Sequence, residues 1–253
     1  MSSNVKIRID QLLVDKGLVE SRQKAQALIL AGKVLVNREP VTKAGTRVFA
    51  DSELVVKQDE IPYVSRGALK LENALKTLDI DITHDVCLDI GASTGGFTDC
   101  LLRFGASKVY AVDVGYGQLA WSLRKDERVV VLERTNVRYL TEEQVPEKVD
   151  VITSDASFIS LKLVVPAALP FLKKGGRILA LIKPQFEVGK GKVGKGGVVK
   201  DPAVHEEVIE TLTQFFEDLG LQKDAVIPSP ILGPKGNREF IISLKYGAAC
   251  TIS

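Results

Sequence analysis

The sequence predicts an α/β protein in which a small N-terminal α+β domain precedes a doubly wound parallel sheet. From residue 65 onward, short apolar runs rich in β-branched residues alternate with stretches compatible with helices. This alternation is typical of a parallel sheet that helices cover on both faces. Before residue 59 the pattern differs, because two short helical stretches are followed by runs that alternate apolar and polar residues. A chain of 253 residues is long enough for both domains.

The composition excludes several classes of protein. With 45% hydrophobic and 26% charged residues, the chain resembles a globular protein rather than a disordered one. It has no run of about 18 apolar residues, and its start, MSSNVKIRID, lacks the apolar core of a signal peptide, so we expect a cytoplasmic protein. The cysteines and histidines lack metal-ligand spacing, so we expect reduced thiols and no metal site. These residues are Cys87, Cys100, Cys250, His84 and His205.

The first segment, residues 5–58, is predicted to form two helices and a small β unit. In RIDQLLVDKGL the apolar residues recur at helical spacing, and Gly17 is placed to end the first helix. Ser21 is placed to cap the second helix, and Gly32 to end it. The runs KVLVNREPV and TRVFADSELVV alternate as short strands do. A polar join at residues 59–64 separates this domain from the second domain, residues 65–246.

The stretch RIDQLLVDKGLVESRQKAQALILAGKVLVNREPV resembles the S4-type RNA-binding domain. The first 50 residues carry nine basic and four acidic side chains, although the whole chain has a net charge of only +2. Domains of this type present basic side chains from a helix pair to structured RNA. The alternative is a solvated charged face on a small helical domain. The resemblance implies phosphate contacts by Arg8, Arg22, Lys24, Lys33 and Arg38.

In the second domain, the strands of the predicted sheet are recognised as short apolar runs. Five of them alternate with helical stretches: VCLDIG, KVYAVDVG, VVVLER, VDVITSDAS and RILALIKPQ. Two more, AVIPSPI and REFIISLKY, are predicted to close the same sheet. Ligands of such sheets bind at the carboxyl ends of the strands, so polar residues at those ends are the candidates for a site.

A glycine-rich turn, LDIGASTGGFT, directly follows the first apolar strand. Its spacing differs from the G-x-G-x-x-G of dinucleotide sites, and a carboxylate at Asp89 suits a cationic ligand better than a diphosphate. The motif D-I-G-x-x-x-G-G-F resembles the first motif of class I S-adenosylmethionine-dependent methyltransferases, which have a Rossmann-like fold. The resemblance implies cofactor contacts by Asp89, Gly91, Ser93, Thr94, Gly95, Gly96, Phe97 and Asp155.

Two further polar residues are candidates for cofactor binding. Asp113 ends the second strand, where its two oxygens can accept both ribose hydroxyls of a nucleoside. Asn136 follows the third strand, where its amide can help to place the adenine. The alternatives are that Asp113 caps a helix and that Asn136 is a turn residue.

Four candidate catalytic residues come from distant parts of the chain: Lys70, Asp155, Lys183 and Glu239. Their surroundings, YVSRGALKL, SDASF, LIKPQFE and NREFIISL, resemble the RNA ribose 2′-O-methyltransferases of the FtsJ/RrmJ-like family, which share a Lys-Asp-Lys-Glu tetrad. With the S4-type domain in front, residues 5–246 resemble the TlyA family, often labelled haemolysin A. The resemblance implies S-adenosylmethionine as cofactor and cytidine ribose in ribosomal RNA of the ribosomal subunits as substrate.

The chemistry of this reaction agrees with those residue types. A ribose hydroxyl is a poor nucleophile, so the enzyme must orient it and help to remove its proton. We expect Lys183 to receive that proton or to direct the oxygen lone pair, Asp155 to orient Lys183, and the other two residues to position the ribose. Enzymes that methylate exocyclic amines commonly carry an Asn/Asp-Pro-Pro-aromatic motif, whereas this chain has SDASF, without prolines. Its Phe158 either stacks on a base or packs in the core.

A loop at residues 184–197 combines glycines with closely spaced lysines. We expect Lys190, Lys192 and Lys195 to clamp the RNA backbone, and we place Arg66 among the RNA contacts. The alternative is an ordinary flexible loop. Two other functions remain open: a membrane-active cytolysin, as the haemolysin label suggests, and a non-catalytic RNA-binding assembly factor. No exposed apolar segment supports the first, and the complete tetrad argues against the second.

Overall fold

The computed structural model describes residues 5–56, 61–189, 191, 193–194 and 196–247. It divides into two compact units, Met1–Ile61 and Pro62–Ser253. The first unit contains the strands β1 (Lys6–Arg8), β2 (Val34–Val36), β3 (Glu39–Pro40), β4 (Arg47–Phe49) and β5 (Leu54–Val56), and the helices α1 (Ile9–Asp15) and α2 (Arg22–Leu30).

The first unit is an α+β fold around one small core. Its helices pack on each other and bury Ile9, Leu13 and Ile29, which are completely inaccessible to solvent. β2 pairs with β3 and β5, and all three strands lie in the runs that were predicted to form strands. β1 was not predicted, because the alternation of polar and apolar residues in KIR covers only three residues; it pairs antiparallel with β4.

The second unit is built on a seven-stranded sheet. Its strands are β6 (Val86–Ile90), β7 (Lys108–Val112), β8 (Val129–Leu132), β9 (Val149–Ser154), β10 (Leu172–Ile182), β11 (Leu221–Pro228) and β12 (Phe240–Tyr246). Its helices are α3 (Ala68–Thr77), α4 (Gly96–Arg103), α5 (Trp121–Arg124), α6 (Leu161–Ala168), α7 (Pro184–Glu187) and α8 (Pro202–Asp218).

The strand order is β11-β12-β10-β9-β6-β7-β8. The five strands from β10 to β8 are mutually parallel, which confirms the predicted α/β class. The prediction of a parallel sheet needs one correction: β12 inserts between β10 and β11 and is antiparallel to both. The reason is local, because a short connection joins β11 to β12, and a short connection can only reverse the chain.

Both faces of this sheet are buried, so its strands carry nearly continuous apolar runs. Along β10, Ile178 and Ala180 face a core formed with α6 and α8, whereas Leu179 and Leu181 face a core formed with α3 and α4. The candidate site lies at the carboxyl edge of the parallel strands, where residues that follow β6, β9 and β10 line two cavities. Among the described residues, no helix is both long and apolar enough to cross a membrane.

Candidate active site

The four predicted catalytic residues meet at the carboxyl edge of the sheet. Asp155 directly follows β9, and Lys183 directly follows β10. Glu239 precedes β12, and it reaches the same edge because β12 runs antiparallel, with Phe240 paired to Ile182. Lys70 comes from α3, which packs against this sheet.

A continuous chain of ion pairs joins these four side chains. Lys70 Nζ lies 2.7 Å from Glu239 Oε2 and 3.5 Å from Asp155 Oδ2. The other oxygen of Asp155, Oδ1, lies 2.6 Å from Lys183 Nζ. Two cations and two carboxylates therefore alternate, and each cation has at least one anionic partner. Such pairing is what makes buried charges tolerable.

Burial makes this arrangement rigid and leaves one acceptor unused. Lys70, Lys183 and Glu239 are buried, whereas the side chain of Asp155 keeps 22% of its surface exposed. Glu239 Oε1 is buried and has no hydrogen-bond partner within the described residues. This oxygen lies against Gly233, where a Cβ atom would be only 2.0 Å away, so it faces the neighbouring turn.

A cavity of about 230 Å³ opens onto the tetrad. All four members line it, together with Thr94, Gly96 and Phe97 of the glycine-rich turn. Ser157 also lines it, and its hydroxyl accepts a hydrogen bond of 2.7 Å from Lys183 Nζ. This cavity presents charged and hydroxyl groups to a polar substrate.

A second, larger cavity of about 490 Å³ adjoins the first. The two cavities share four lining residues: Gly91, Ser93, Asp155 and Ser157. Apolar side chains of Ile90, Val112, Val137 and Val164 form much of the larger wall. An apolar cavity of this volume with few polar groups is typical of a small-molecule site.

Asp113 and Asn136 both line the larger cavity. The carboxylate of Asp113 accepts backbone N–H bonds from Ser93 (2.8 Å) and Gly115 (2.6 Å), which fix its orientation. Asn136 accepts from the backbone N–H of Arg138 at 3.1 Å, so it also caps the short 3₁₀ turn that follows. The turn interpretation of Asn136 and its position in the cavity are therefore compatible.

At the glycine-rich turn, the backbone of Gly91 packs closely against the backbone of Ala156. Gly91 has φ of +80°, and a Cβ atom there would lie 3.0 Å from the Cα of Ala156. Gly95 faces Leu119 and Leu123 of the core rather than either cavity, and a Cβ on it would lie 2.2 Å from Leu123. Gly91 is thus the glycine of this turn that lies in the wall common to both cavities.

The expectation of a direct cofactor contact by Asp89 needs correction. Its side chain is inaccessible to solvent and lines neither cavity. Its oxygens accept hydrogen bonds from Thr98 Oγ1 (2.7 Å) and Thr153 Oγ1 (2.9 Å), so it joins α4 and β9 to β6. Burial raises the pKa of Asp89 to about 6. Asp89 therefore stabilises the glycine-rich turn from within the core.

Sequence reasoning missed several residues of the two cavities. Ser157 follows the strand-end aspartate by two positions, and its place in SDASF was the available signal. Gln118 and Thr135 line the larger cavity but lie in loops without a distinctive pattern. Phe158 is 89% exposed at the rim of that cavity, and its ring lies 5.0 Å from that of Phe186, so the core alternative is wrong.

The predicted RNA contacts of the first unit are exposed, apart from the half-buried Lys33. Arg8 and Arg22 share one partner, the inaccessible Asp10, with N–O distances of 3.0 Å. The hydrogen bond from Arg8 holds the pKa of Asp10 well below its usual value. Lys24 pairs with Glu20 at 3.4 Å.

The remaining predicted contacts belong to two turns and one loop. Arg38 has φ of +72° in the turn between β2 and β3. Arg66 is exposed just before α3. Lys190, Lys192 and Lys195 lie outside the described residues.

Comparison with known proteins identifies relatives of both units. Residues 63–246 match the FtsJ-like methyltransferase family, and residues 7–53 match the S4 domain. The chain is 49% identical over 239 residues to the 16S/23S rRNA (cytidine-2′-O)-methyltransferase TlyA of Mycobacterium tuberculosis, covering 94% of this chain and 89% of that protein. It is 42% identical to Hemolysin A of Brachyspira hyodysenteriae, covering 93% and 98%.

A solved structure has the same overall architecture. The structure of a hemolysin-named protein from Streptococcus thermophilus superposes with a TM-score of 0.77 at 42% identity. The superposition covers 96% of this chain and 89% of that one. Some of these relatives are named methyltransferases and others hemolysins. The geometry of the site is therefore needed to choose between the two functions.

Proposed function

Because this chain belongs to the FtsJ-like methyltransferase family, we propose that it methylates the ribose 2′-hydroxyl of cytidine in ribosomal RNA. The observation that carries the proposal is the ion-pair chain of Lys70, Asp155, Lys183 and Glu239. It lies where a polar cavity meets a larger apolar one. A reaction that transfers a group from a small cofactor to a polar acceptor needs the two binding cavities to meet.

We assign the larger cavity to S-adenosylmethionine. Its volume of about 490 Å³ is in the range of nucleoside-sized ligands, and its apolar walls suit an adenine ring. Asp113 would accept the ribose hydroxyls, Asn136 would face the adenine, and Asp155 would lie near the cationic end. When bound, the cofactor supplies an electrophilic methyl group.

The smaller cavity would hold the target ribose. Lys183 would direct the lone pair of the 2′-oxygen as an ammonium group, or receive its proton as a neutral amine, since its Nζ lies beside the shared wall of the two cavities. Asp155 would hold Lys183 in place through its 2.6 Å contact. Lys70 and Glu239, which both line the smaller cavity, would orient the sugar. Most of the acceleration would come from orientation, because a sulfonium methyl group is already reactive.

Basic and aromatic groups around the site support RNA as the substrate. Phe158 is exposed at the rim, where a ring can stack on a base. The lysines of the 184–197 loop and Arg66 are adjacent to the tetrad in sequence, and we propose that they contact the RNA backbone. The S4-type segment, residues 5–58, would bind structured RNA, and residues 65–246 would catalyse the reaction, with residues 59–64 as the linker.

The decisive experiment is transfer of labelled methyl groups from S-adenosylmethionine to ribosomal subunits that lack the modification. We expect label in the RNA, and mapping of the nucleotides should locate it on a cytidine 2′-oxygen. Label on a base would refute the proposed roles of the tetrad. No label on either subunit would refute the ribosomal substrate.

The membrane activity that the hemolysin name of some relatives suggests can be tested with the same protein preparation. Pure protein added to lipid vesicles should leave an entrapped dye inside, because the described part of the chain offers no helix that could span a bilayer. Dye release at protein concentrations that support methylation would add a membrane activity to the enzyme.

A further inference from the structure

The end of the glycine- and lysine-rich loop is attached to the catalytic unit by two buried side chains. The backbone N–H of Val199 donates to Asn237 Oδ1 at 3.1 Å, and Asn237 Nδ2 donates to the carbonyl oxygen of Gly197 at 3.0 Å. The carbonyl oxygen of Val199 accepts from His205 Nε2 of α8 at 2.9 Å. Three backbone groups at the loop end are therefore fixed by side chains.

The amide of Asn237 is fully engaged. Only 3% of the residue is exposed, and Nδ2 also donates to the carbonyl oxygen of Pro234 at 3.1 Å. Both protons and the oxygen of the amide have partners. A buried amide with all its bonds made defines one arrangement of the segments it joins, since every alternative leaves a polar group unsatisfied.

The same residue also fixes the turn that supports Glu239. The carbonyl oxygen of Asn237 accepts from the backbone N–H of Gly233 at 2.9 Å. Gly233 lies directly against the catalytic carboxylate, because a Cβ there would lie 2.0 Å from Glu239 Oε1. Pro234, held by the Asn237 amide, lines the cavity of the tetrad. The turn from Gly233 to Asn237 thus forms part of the wall around Glu239.

We propose that Asn237, assisted by His205, is a positioning residue that holds Gly197 and Val199, at the described end of the lysine loop, against the turn beside Glu239. Neither side chain lines either cavity, so each acts through the groups it holds. The inference rests on the proposed function, in which the loop lysines contact RNA. The described end of the loop and the turn beside Glu239 would then keep one arrangement while RNA is bound.

The first test separates RNA binding from cofactor binding. Asn237→Ser removes the amide and His205→Leu removes the ring donor. Each should raise KM for RNA about tenfold, as expected when one or two hydrogen bonds that order a binding loop are lost. The dissociation constant of S-adenosylmethionine should change less than twofold. An unchanged KM in folded His205→Leu would overturn the proposal, as would an equal loss of cofactor affinity.

Two matched variants exclude a general loss of stability. His205→Gln keeps a donor near the position of Nε2 and should restore a KM close to that of the wild type. Thr213→Val removes a buried hydroxyl from the same helix, α8, without touching the loop, and should leave KM unchanged. If Thr213→Val raises KM as much as His205→Leu does, the effect is not specific to the loop and the proposal fails.

A double-mutant cycle tests whether Asn237 acts through the lysines. Lys190, Lys192 and Lys195 are changed to alanine together, with and without Asn237→Ser. Groups that act as one unit give non-additive effects, so the fold change in KM caused by Asn237→Ser should be smaller in the lysine-free background than in the wild type. If the fold changes in KM caused by Asn237→Ser and by the three lysine changes simply multiply in the combined variant, the proposal fails. It also fails if the lysine variant has an unaltered KM. Methyl transfer by the wild type, measured in parallel, keeps the proposed function separate from these outcomes.

Discussion

Lys183 is the residue on which the proposed chemistry depends most directly. Its Nζ contacts Asp155 and Ser157 at the junction of the two cavities. We expect Lys183→Ala to lower kcat by about 10²–10⁴-fold, the usual contribution of a positioned proton acceptor. Binding of S-adenosylmethionine, measured by calorimetry, should remain nearly intact, because Lys183 does not line the larger cavity.

The matched control for this prediction is Lys76→Ala. Lys76 lies on the exposed face of α3 and pairs only with Glu72 among the described contacts. It should keep the activity of the wild type. If Lys183→Ala turned over as fast as the Lys76→Ala control, proton removal would need no help from Lys183.

Asp89 makes a prediction about stability rather than catalysis. Burial raises the pKa of Asp89 to about 6, whereas an unfolded aspartate has a pKa of about 3.9. Between these values the folded chain holds a proton that the unfolded chain has released, so the free energy of unfolding falls as pH rises through this window. Two pH units correspond to about 3 kcal/mol.

Asp89→Asn removes the titration and tests this prediction. The free energy of unfolding of Asp89→Asn minus that of the wild type, measured in urea, should increase from pH 4 to pH 6.5 and then level off. Asp218→Asn, at an exposed position near the end of α8, should show no such trend. A constant difference between Asp89→Asn and the wild type would mean that folding does not protonate Asp89.

At the scale of elements, the β6–α4 turn depends on the absence of a side chain at Gly91. Alanine there would combine a φ of +80° with a contact of 3.0 Å to the backbone of Ala156. We expect Gly91→Ala to weaken S-adenosylmethionine binding at least tenfold, because the turn forms the shared wall of the two cavities. Equilibrium binding measurements would check this.

Gly220 provides the comparison for strain alone. It has φ of +78° after α8, and no described atom lies within 4 Å of the position its Cβ would take. Gly220→Ala should cost roughly 1–2 kcal/mol of stability, the penalty for a left-handed conformation, and should leave cofactor affinity unchanged. Equal losses of affinity in both variants would attribute the effect of Gly91→Ala to stability.

The strands of the large sheet were predictable because burial on both faces leaves long apolar runs such as VCLDI and RILALI. The reversal of β12 was not, because an apolar run carries no information about direction. That reversal is what brings Glu239 to the tetrad. Asp89 illustrates the same limit in the site: the sequence places a carboxylate at the strand end, but only packing decides whether it points to a ligand or to Thr98 and Thr153.

At the scale of the whole molecule, basic side chains of the first unit differ in what they do for the fold. Arg8 and Arg22 neutralise the inaccessible Asp10, so replacing either would leave a buried charge with fewer partners and destabilise the unit. Lys24 and Arg38 are exposed and make no comparable contribution to the core. A test of RNA binding should therefore avoid the two arginines that Asp10 holds.

The triple variant Lys24→Ala, Lys33→Ala and Arg38→Ala should weaken RNA binding and reduce its salt dependence. Each lost phosphate contact lowers the magnitude of the slope of log affinity against log salt by roughly 0.7–0.9, so three contacts amount to about 2–3. Filter binding at several salt concentrations measures the slope.

The control variant removes three exposed lysines from the catalytic unit: Lys76, Lys148 and Lys223. It changes the net charge equally and should alter the slope much less. Equal slopes in the two variants would mean that RNA responds to total charge, and an unchanged slope in the first would place the RNA elsewhere than on the S4-type unit.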